Sequence, residues 1–252
     1  GAQVVCFPEL ALTGYYLRDL TATVAVRPEP EDPIFGQLLA ASQDIDIVTG
    51  FVEETAHFLY YNSAAYLSKG NMLHVHHKVY LPTYGMFDEQ RFLGAGDGVQ
   101  TFATPHGNVA LLICEDLWHL SLSYLAWIGG ADYLIGLVAS PGRGVRADND
   151  RLVSAESWDI LARALAQFLT CYVVFVNRVG FEDGVNFFGG SLAIGPSGQV
   201  IAHAPDLEET LLTADLDRAR LRRTRVKVPL LRDERPELTL RELARILRRA
   251  HG

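Results

Sequence analysis

Short blocks of apolar residues, broken by turn-forming or charged positions, set the pattern of this chain. Runs rich in Val, Ile, Leu and aromatic residues read as strands. They predict strands at residues 3–7, 45–52, 62–68, 72–80, 109–113, 132–138, 172–177, 190–194, 199–203 and 210–215. Patterns with a period near 3.6 predict helices near 34–43, 121–129, 151–169 and 237–250. The clearest is RLVSAESWDILARALAQFL, where Leu152, Trp158, Leu161, Leu165 and Phe168 fall mostly on one face. Gly195-Pro196-Ser197-Gly198 between two strand patterns reads as a hairpin turn. Strands mixed with helices indicate a layered α/β protein. Periodicity alone does not order the layers. The chain has no internal repeat and no low-complexity linker.

Three predicted strand ends carry chemistry. The apolar run Val109–Ile113 stops at Cys114, which is followed by Glu115 and Asp116. A thiol there has rigid support and an open approach, as a nucleophile needs. VVCFPEL (residues 4–10) is a second short strand, ended by Pro8 and followed by Glu9. The third is MLHVHHKVY, with Lys78 near its end. A carboxylate, an ammonium and a thiol thus stand at three strand ends, and sheet enzymes collect catalytic groups along one edge in this way.

Composition narrows the class. At 252 residues and 49% hydrophobic, the chain can bury one large core, so we read 1–252 as a single domain. No apolar stretch approaches a membrane span, and no signal peptide is visible. Cys6, Cys114 and Cys171 are odd in number and widely spaced. That argues against a disulfide framework or zinc site and for a reducing cytoplasm. Cys6 and Cys171 sit in apolar runs and read as packing residues. The net charge of −8 is uneven: residues 216–252 carry +7 and the remainder −15. This basic tail is expected to pair with the acidic body or with another subunit rather than with nucleic acid, since the whole chain has a pI near 5.5.

The ordered set Glu9 in FPEL, Lys78 in HHKVYLP and Cys114 in ICEDLW resembles the Glu-Lys-Cys triad of the nitrilase superfamily, the carbon–nitrogen hydrolases. KVYLPTYGMFDEQRFL and ICEDLW are most similar to the glutaminase domain of glutamine-dependent NAD synthetases. The resemblance continues through VNRVGFEDGVNFFGGSLAIGPSGQVIA (residues 176–202). It implies a four-layer α-β-β-α sandwich, paired with a second subunit in a homodimer or larger homo-oligomer. It also implies a strand and a helix before the FPEL strand. Glu9 stands almost at the start here, so that unit is expected to be missing. No Gly-rich loop resembling the ATP-using synthetase domain follows, so NAD synthesis by this chain alone is not expected.

The implied chemistry is amide hydrolysis. Cys114 would attack the amide carbon to form a thioester. Lys78 would favour the thiolate and then the oxyanion, with the backbone N–H after Cys114 as a second donor. Glu9 would take the thiol proton, pass it to departing ammonia and then activate water. By the same match, Glu89 in FDEQRF contacts the lysine and helps position substrate, Tyr84 and Phe87 line the pocket, and Glu115 binds a substrate amino group. Ser140 ends another strand and is a candidate substrate contact. Arg143 and Arg146 could meet a substrate carboxylate, although loop arginines are usually solvated. Strand alternation puts His74 and His76 on one face and His77 on the other, with no carboxylate or Cys at ligand spacing, so no metal and no cofactor are expected. Asn186, Phe187 and Phe188 would form a wall near the site or a turn.

These readings favour a cysteine-dependent amidase releasing ammonia from a small amide, with glutamine a candidate. The alternatives are an N-carbamoyl or nitrile hydrolase, and a glutaminase-like subunit feeding ammonia to a separate synthetase.

Overall fold

In the computed structural model, residues 1–144 and 152–250 are described. Twelve strands form in the described chain: β1 (Val4–Cys6), β2 (Asp46–Glu54), β3 (Tyr60–Ser68), β4 (Asn71–His77), β5 (Thr101–Thr104), β6 (Gly107–Ile113), β7 (Tyr133–Val138), β8 (Tyr172–Asn177), β9 (Val179–Glu182), β10 (Val185–Phe188), β11 (Leu192–Ile194) and β12 (Val200–His203). The helices are α1 (Thr21–Val24), α2 (Pro33–Ala41), α3 (Leu120–Ile128), α4 (Val153–Phe168), α5 (Arg218–Lys227), α6 (Leu230–Asp233) and α7 (Pro236–Ala250).

Strand alternation builds the layers. One sheet has the order β1-β2-β3-β4, and the other β12-β11-β8-β7-β6-β5. Val48, Ala64 and Tyr66 of the first sheet join the β6, β7 and β8 side chains in one core. The neighbouring positions Ile47, Phe51, Ala65 and Leu67 point to the opposite face and pack with Phe35 of α2. On the far side, α3 and α4 cover the second sheet through Trp127, Trp158, Ala162 and Leu165. This is the α-β-β-α order implied by the resemblance. Strands β6, β7 and β8 run parallel, so their C-terminal ends share one rim. All of β7 and residues 109–113 of β6 are buried, as parallel strands covered on both faces require.

Most predicted elements are present, with corrections. Residues 210–215 form no strand, and Leu211 is 85% exposed. The hairpin β9–β10 has no counterpart among the predicted elements, and it contains the Asn186–Phe188 segment, which is strand rather than turn. Strand β5 and helix α5 are likewise additions to the predicted elements. On α4 the buried face is Ala155, Trp158, Ala162, Leu165 and Ala166, while Phe168 is exposed at the last turn. The Gly195–Gly198 turn joins β11 to β12 as expected. At α5, Arg225 reaches Asp132 at 2.7 Å and the Ala131 carbonyl at 2.6 Å. Along α7 the printed ion pairs are internal, such as Arg245 with Glu242. Cys171 is fully buried and Cys6 is half-buried against the main core.

Candidate active site

Two strand ends are shaped to present side chains toward one point. After β1 the chain turns at Pro8–Glu9–Leu10, and Leu10 adopts φ +48°. This turn lies directly on β2. A Cβ on Gly50 would stand 2.5 Å from the Leu10 nitrogen and 2.9 Å from the Glu9 Cα, so glycine is required for the close pass. After β6, Cys114 opens a 3-10 turn, Cys114–Trp118, with φ +45°. A non-glycine residue in that region carries strain, which surrounding contacts must offset. Leu117 of the same turn nests over Gly136 of β7, where a Cβ would come within 2.6 Å of its Cδ1.

Asp116 supplies much of that offset. It is fully buried, and its Oδ2 accepts from the Ile113 N–H at 3.1 Å and from His76 Nε2 at 2.9 Å. Its Oδ1 accepts from the backbone N–H groups of Val79 and Tyr80, each at 3.0 Å. One carboxylate therefore ties the cysteine turn to the segment on either side of Lys78.

Lys78 sits just past β4 and is completely buried. Its Nζ donates to Glu9 Oε1 at 2.8 Å and to Glu89 Oε1 at 2.7 Å. Glu9, also fully buried, accepts further from Asn62 Nδ2 and from the Ala139 N–H, each at 2.8 Å. Glu89 Oε1 also accepts from the Tyr15 hydroxyl. Tyr15 is held in turn by Glu182 of β9, which accepts from the Tyr15 and Tyr16 backbone N–H groups at 2.8 Å and from Arg178 at 2.9 Å.

Burial and charge set the protonation states. Burial opposes the Lys78 charge, but the carboxylates of Glu89 and Glu9 outweigh it and hold its pKa well above the ordinary value. Burial pushes Glu89 up to about 7; Lys78 pulls it down and Glu9 pushes it further up. The Cys114 thiol is raised well above its usual range by burial, then by the charge of Glu9, with Lys78 opposing. Lys78 thus acts in the direction of the thiolate, while burial and the carboxylates act against it. Two nearby carboxylates and a buried setting outweigh one ammonium, which favours the neutral thiol.

The other sequence candidates fall around this cluster. The Tyr84 hydroxyl donates to Glu115 Oε2 at 2.8 Å, and His119 Nε2 lies 3.7 Å from Glu115 Oε1. Phe87 packs edge-on against Tyr15 and Tyr84, with Arg143 over its ring at 5.3 Å. Ser140 follows β7 and accepts from Trp158 Nε1 at 2.8 Å, leaving its own proton to donate. Phe187 meets Tyr15 edge-on, so the Asn186–Phe188 segment is a wall beside the Glu89 partner. Arg146 lies outside the described residues. His74 stacks on Phe102 and His76 bonds Asp116, while His77 bonds Glu53 at 2.9 Å on the other face. Among the described residues no group of three His, Cys, Asp or Glu is placed to hold a metal. No described helix is long and apolar enough to cross a membrane.

Sequence reasoning missed Tyr15, Asn62, Asp116 and Glu182. Asp116 had a signal, being the second acid after the cysteine. The other three had none, because their partners are distant in the chain.

The carbon–nitrogen hydrolase family model matches residues 1–226, and the chain belongs to this family, also called the nitrilase superfamily. The glutamine-dependent NAD(+) synthetase of Aquifex aeolicus is 29% identical over 227 residues; the match covers 89% of this chain but 38% of that protein. A probable nitrilase from Schizosaccharomyces pombe is 32% identical over 229 residues, covering 87% of this chain and 78% of that one. Among solved structures, a Glu-to-Gln mutant of the amidase from Nesterenkonia sp. AN1 aligns with a TM-score of 0.76 at 25% identity, covering 95% of this chain and 86% of that one. That structure shows the Michael addition of acrylamide at its active-site cysteine. The chain is thus a member of a hydrolase family.

Proposed function

We propose that the protein is a cysteine-dependent amidase that hydrolyses a small amide through a thioester and releases ammonia. The observation that carries this reading is the convergence of Glu9, Lys78 and Glu89 in one hydrogen-bonded, buried cluster whose charges act on the Cys114 thiol. Glu9 takes the thiol proton as sulfur attacks the amide carbon. The C=O π pair moves to oxygen, and Lys78 with the Glu115 backbone N–H stabilises that oxyanion. As the carbonyl re-forms, the C–N bond breaks and Glu9 returns the proton to the departing ammonia. Glu9 then deprotonates water, which attacks the thioester; the carboxylic acid leaves and Cys114 regains its proton. Glu89 holds Lys78 in place throughout.

Substrate choice rests on the cluster at the mouth. Glu115, shared with Tyr84, is suited to a substrate ammonium, and Arg143 beside Phe87 is suited to a carboxylate. Together with the likeness to NAD synthetases, this supports glutamine, with ammonia passed to a separate synthetase as the biological setting. The likeness to a probable nitrilase keeps a nitrile or N-carbamoyl substrate as the second reading. An ammonia-release screen on glutamine, simple ω-amides, N-carbamoyl amines and nitriles tests both. Turnover of glutamine above the others supports the first, turnover of nitriles or N-carbamoyl amines alone supports the second, and hydrolysis of none of them refutes the amidase reading.

A further inference from the structure

The hydroxyl donated to Glu89 comes from a loop. Tyr15 stands in the segment that follows β1, outside both main sheets. Its ring meets Tyr16, Phe87 and Phe187 edge-on, with centroids 5.8, 6.1 and 6.0 Å away. Edge contacts locate a ring, but a directed hydroxyl also needs a fixed main chain. Glu182 supplies that fixing from β9. Its Oε1 accepts from the successive N–H groups of Tyr15 and Tyr16, each at 2.8 Å, and its Oε2 from Tyr15 at 3.1 Å. Successive backbone N–H groups of this kind form a concave nest for an anion. Gly14 makes the nest possible: it takes φ +87°, and a Cβ there would stand 2.7 Å from Glu182 Oε1. Arg178 balances the charge at 2.9 Å and lies over the Phe187 ring at 5.4 Å.

We propose that Glu182 is a positioning residue: it holds the Tyr15 loop so that the hydroxyl stays on Glu89, and through Glu89 it acts on Lys78. Strands β9 and β10 form a two-stranded sheet apart from the two main ones, joined to them by the Pro141–Phe187 and Gly189–Asp206 bridges. A hairpin of two strands is marginal alone. The Glu182 clasp therefore orders the hairpin and the Tyr15 loop together. Glu89 reports on it. Burial raises Glu89 to about 7, while Lys78 and the hydrogen bond from Tyr15 pull it down. Lys78, Glu9, Tyr15 and Cys114 face this carboxylate from four segments, and Asp88 and Arg91 on its own turn are exposed. The effect of Glu182 on turnover rests on the amidase reading; its effect on Glu89 does not.

Two measurements on the whole protein test this. In ammonia release, Glu182→Ala and Tyr15→Phe should each lower kcat about tenfold or more, and raise KM less than they lower kcat. The double variant should fall no further than the worse single one, because both changes remove the same hydrogen bond. Full activity in Glu182→Ala, or losses that multiply in the double variant, would overturn the proposal. The second measurement needs no turnover. Urea unfolding of each protein against its own Glu89→Gln counterpart gives the pH at which the Glu89 contribution to stability is lost, near 7 in the wild type. That midpoint should rise by roughly one pH unit in Glu182→Ala, as in Tyr15→Phe, the size of a lost hydrogen bond to a charged group. A midpoint left unmoved by Glu182→Ala would overturn the proposal. A raised midpoint in a protein whose wild type hydrolyses nothing would support the clasp and sink the amidase reading alone. If Glu182→Ala does not fold, Gly14→Ala, which crowds the carboxylate from the loop side, carries both measurements.

Discussion

His76 Nε2 lies 2.9 Å from Asp116 Oδ2, and through this contact the strand that leads into Lys78 is fastened to the turn that carries Cys114. Both groups are almost completely buried, at 2% and 0% side-chain exposure. Cys114 and Lys78 are therefore positioned by one carboxylate, that of Asp116. Asp116→Ala removes the acceptor for three backbone N–H groups and strands His76. Breaking a buried pair of this kind costs about 3–5 kcal/mol. Unfolding in urea is expected to show a loss of that size, with hydrolysis falling more than the folded fraction accounts for. A folded, fully active Asp116→Ala protein would show that the tie is dispensable.

The raised pKa of Glu89 has a sign that can be checked. An ordinary glutamate ionises near 4.5, and this one near 7. Between those values the folded protein keeps a proton that the unfolded chain has released. This group therefore contributes stability at low pH that is lost as the pH rises through about 7. Urea unfolding of the wild type across that window should show this falling contribution, and Glu89→Gln should remove it. An identical pH slope in both proteins would contradict the assignment.

Under the proposed glutamine reading, a substrate amine held at Glu115 would separate glutamine from plain amides. A hydrogen bond between charged groups contributes about 1.5–3 kcal/mol. Glu115→Gln should lower kcat/KM for glutamine by roughly 10- to 100-fold. A simple aliphatic amide should be hardly affected. Equal losses on both would assign Glu115 to shaping the cysteine turn.

Glu9 serves both half-reactions in the proposed scheme, with deacylation depending on it as the base for water. Wild-type protein acid-quenched during turnover should carry an acyl adduct on Cys114, seen by peptide mass spectrometry, and Glu9→Gln, lacking the base for both steps, should carry little or none. An adduct on Cys6 or Cys171 instead would move the nucleophile elsewhere. Substitution of either by Ala should change stability more than turnover.

Much of this architecture was legible along the chain because it is local. Apolar runs ended by Pro8 or by a polar break located β1 and β6, and so placed Glu9 and Cys114 at strand ends. Strand β5 and the β9–β10 hairpin escaped because each strand is only four residues long, with little alternation to read. The converse error, a strand at 210–215, followed from an apolar pattern alone. At the site, the charged groups at strand ends were readable, but their supports were not. Asn62 lies 53 positions from Glu9, and Glu182 is 167 positions from Tyr15. The thiol's protonation could not be read either, because it depends on burial and on two carboxylates brought in by the fold.

The central claim is that Cys114 is the nucleophile, and Cys114→Ala tests it most directly. With the fold verified by its thermal transition, ammonia release from the best substrate should drop by several orders of magnitude. Substantial turnover by the folded Cys114→Ala protein would contradict the claim.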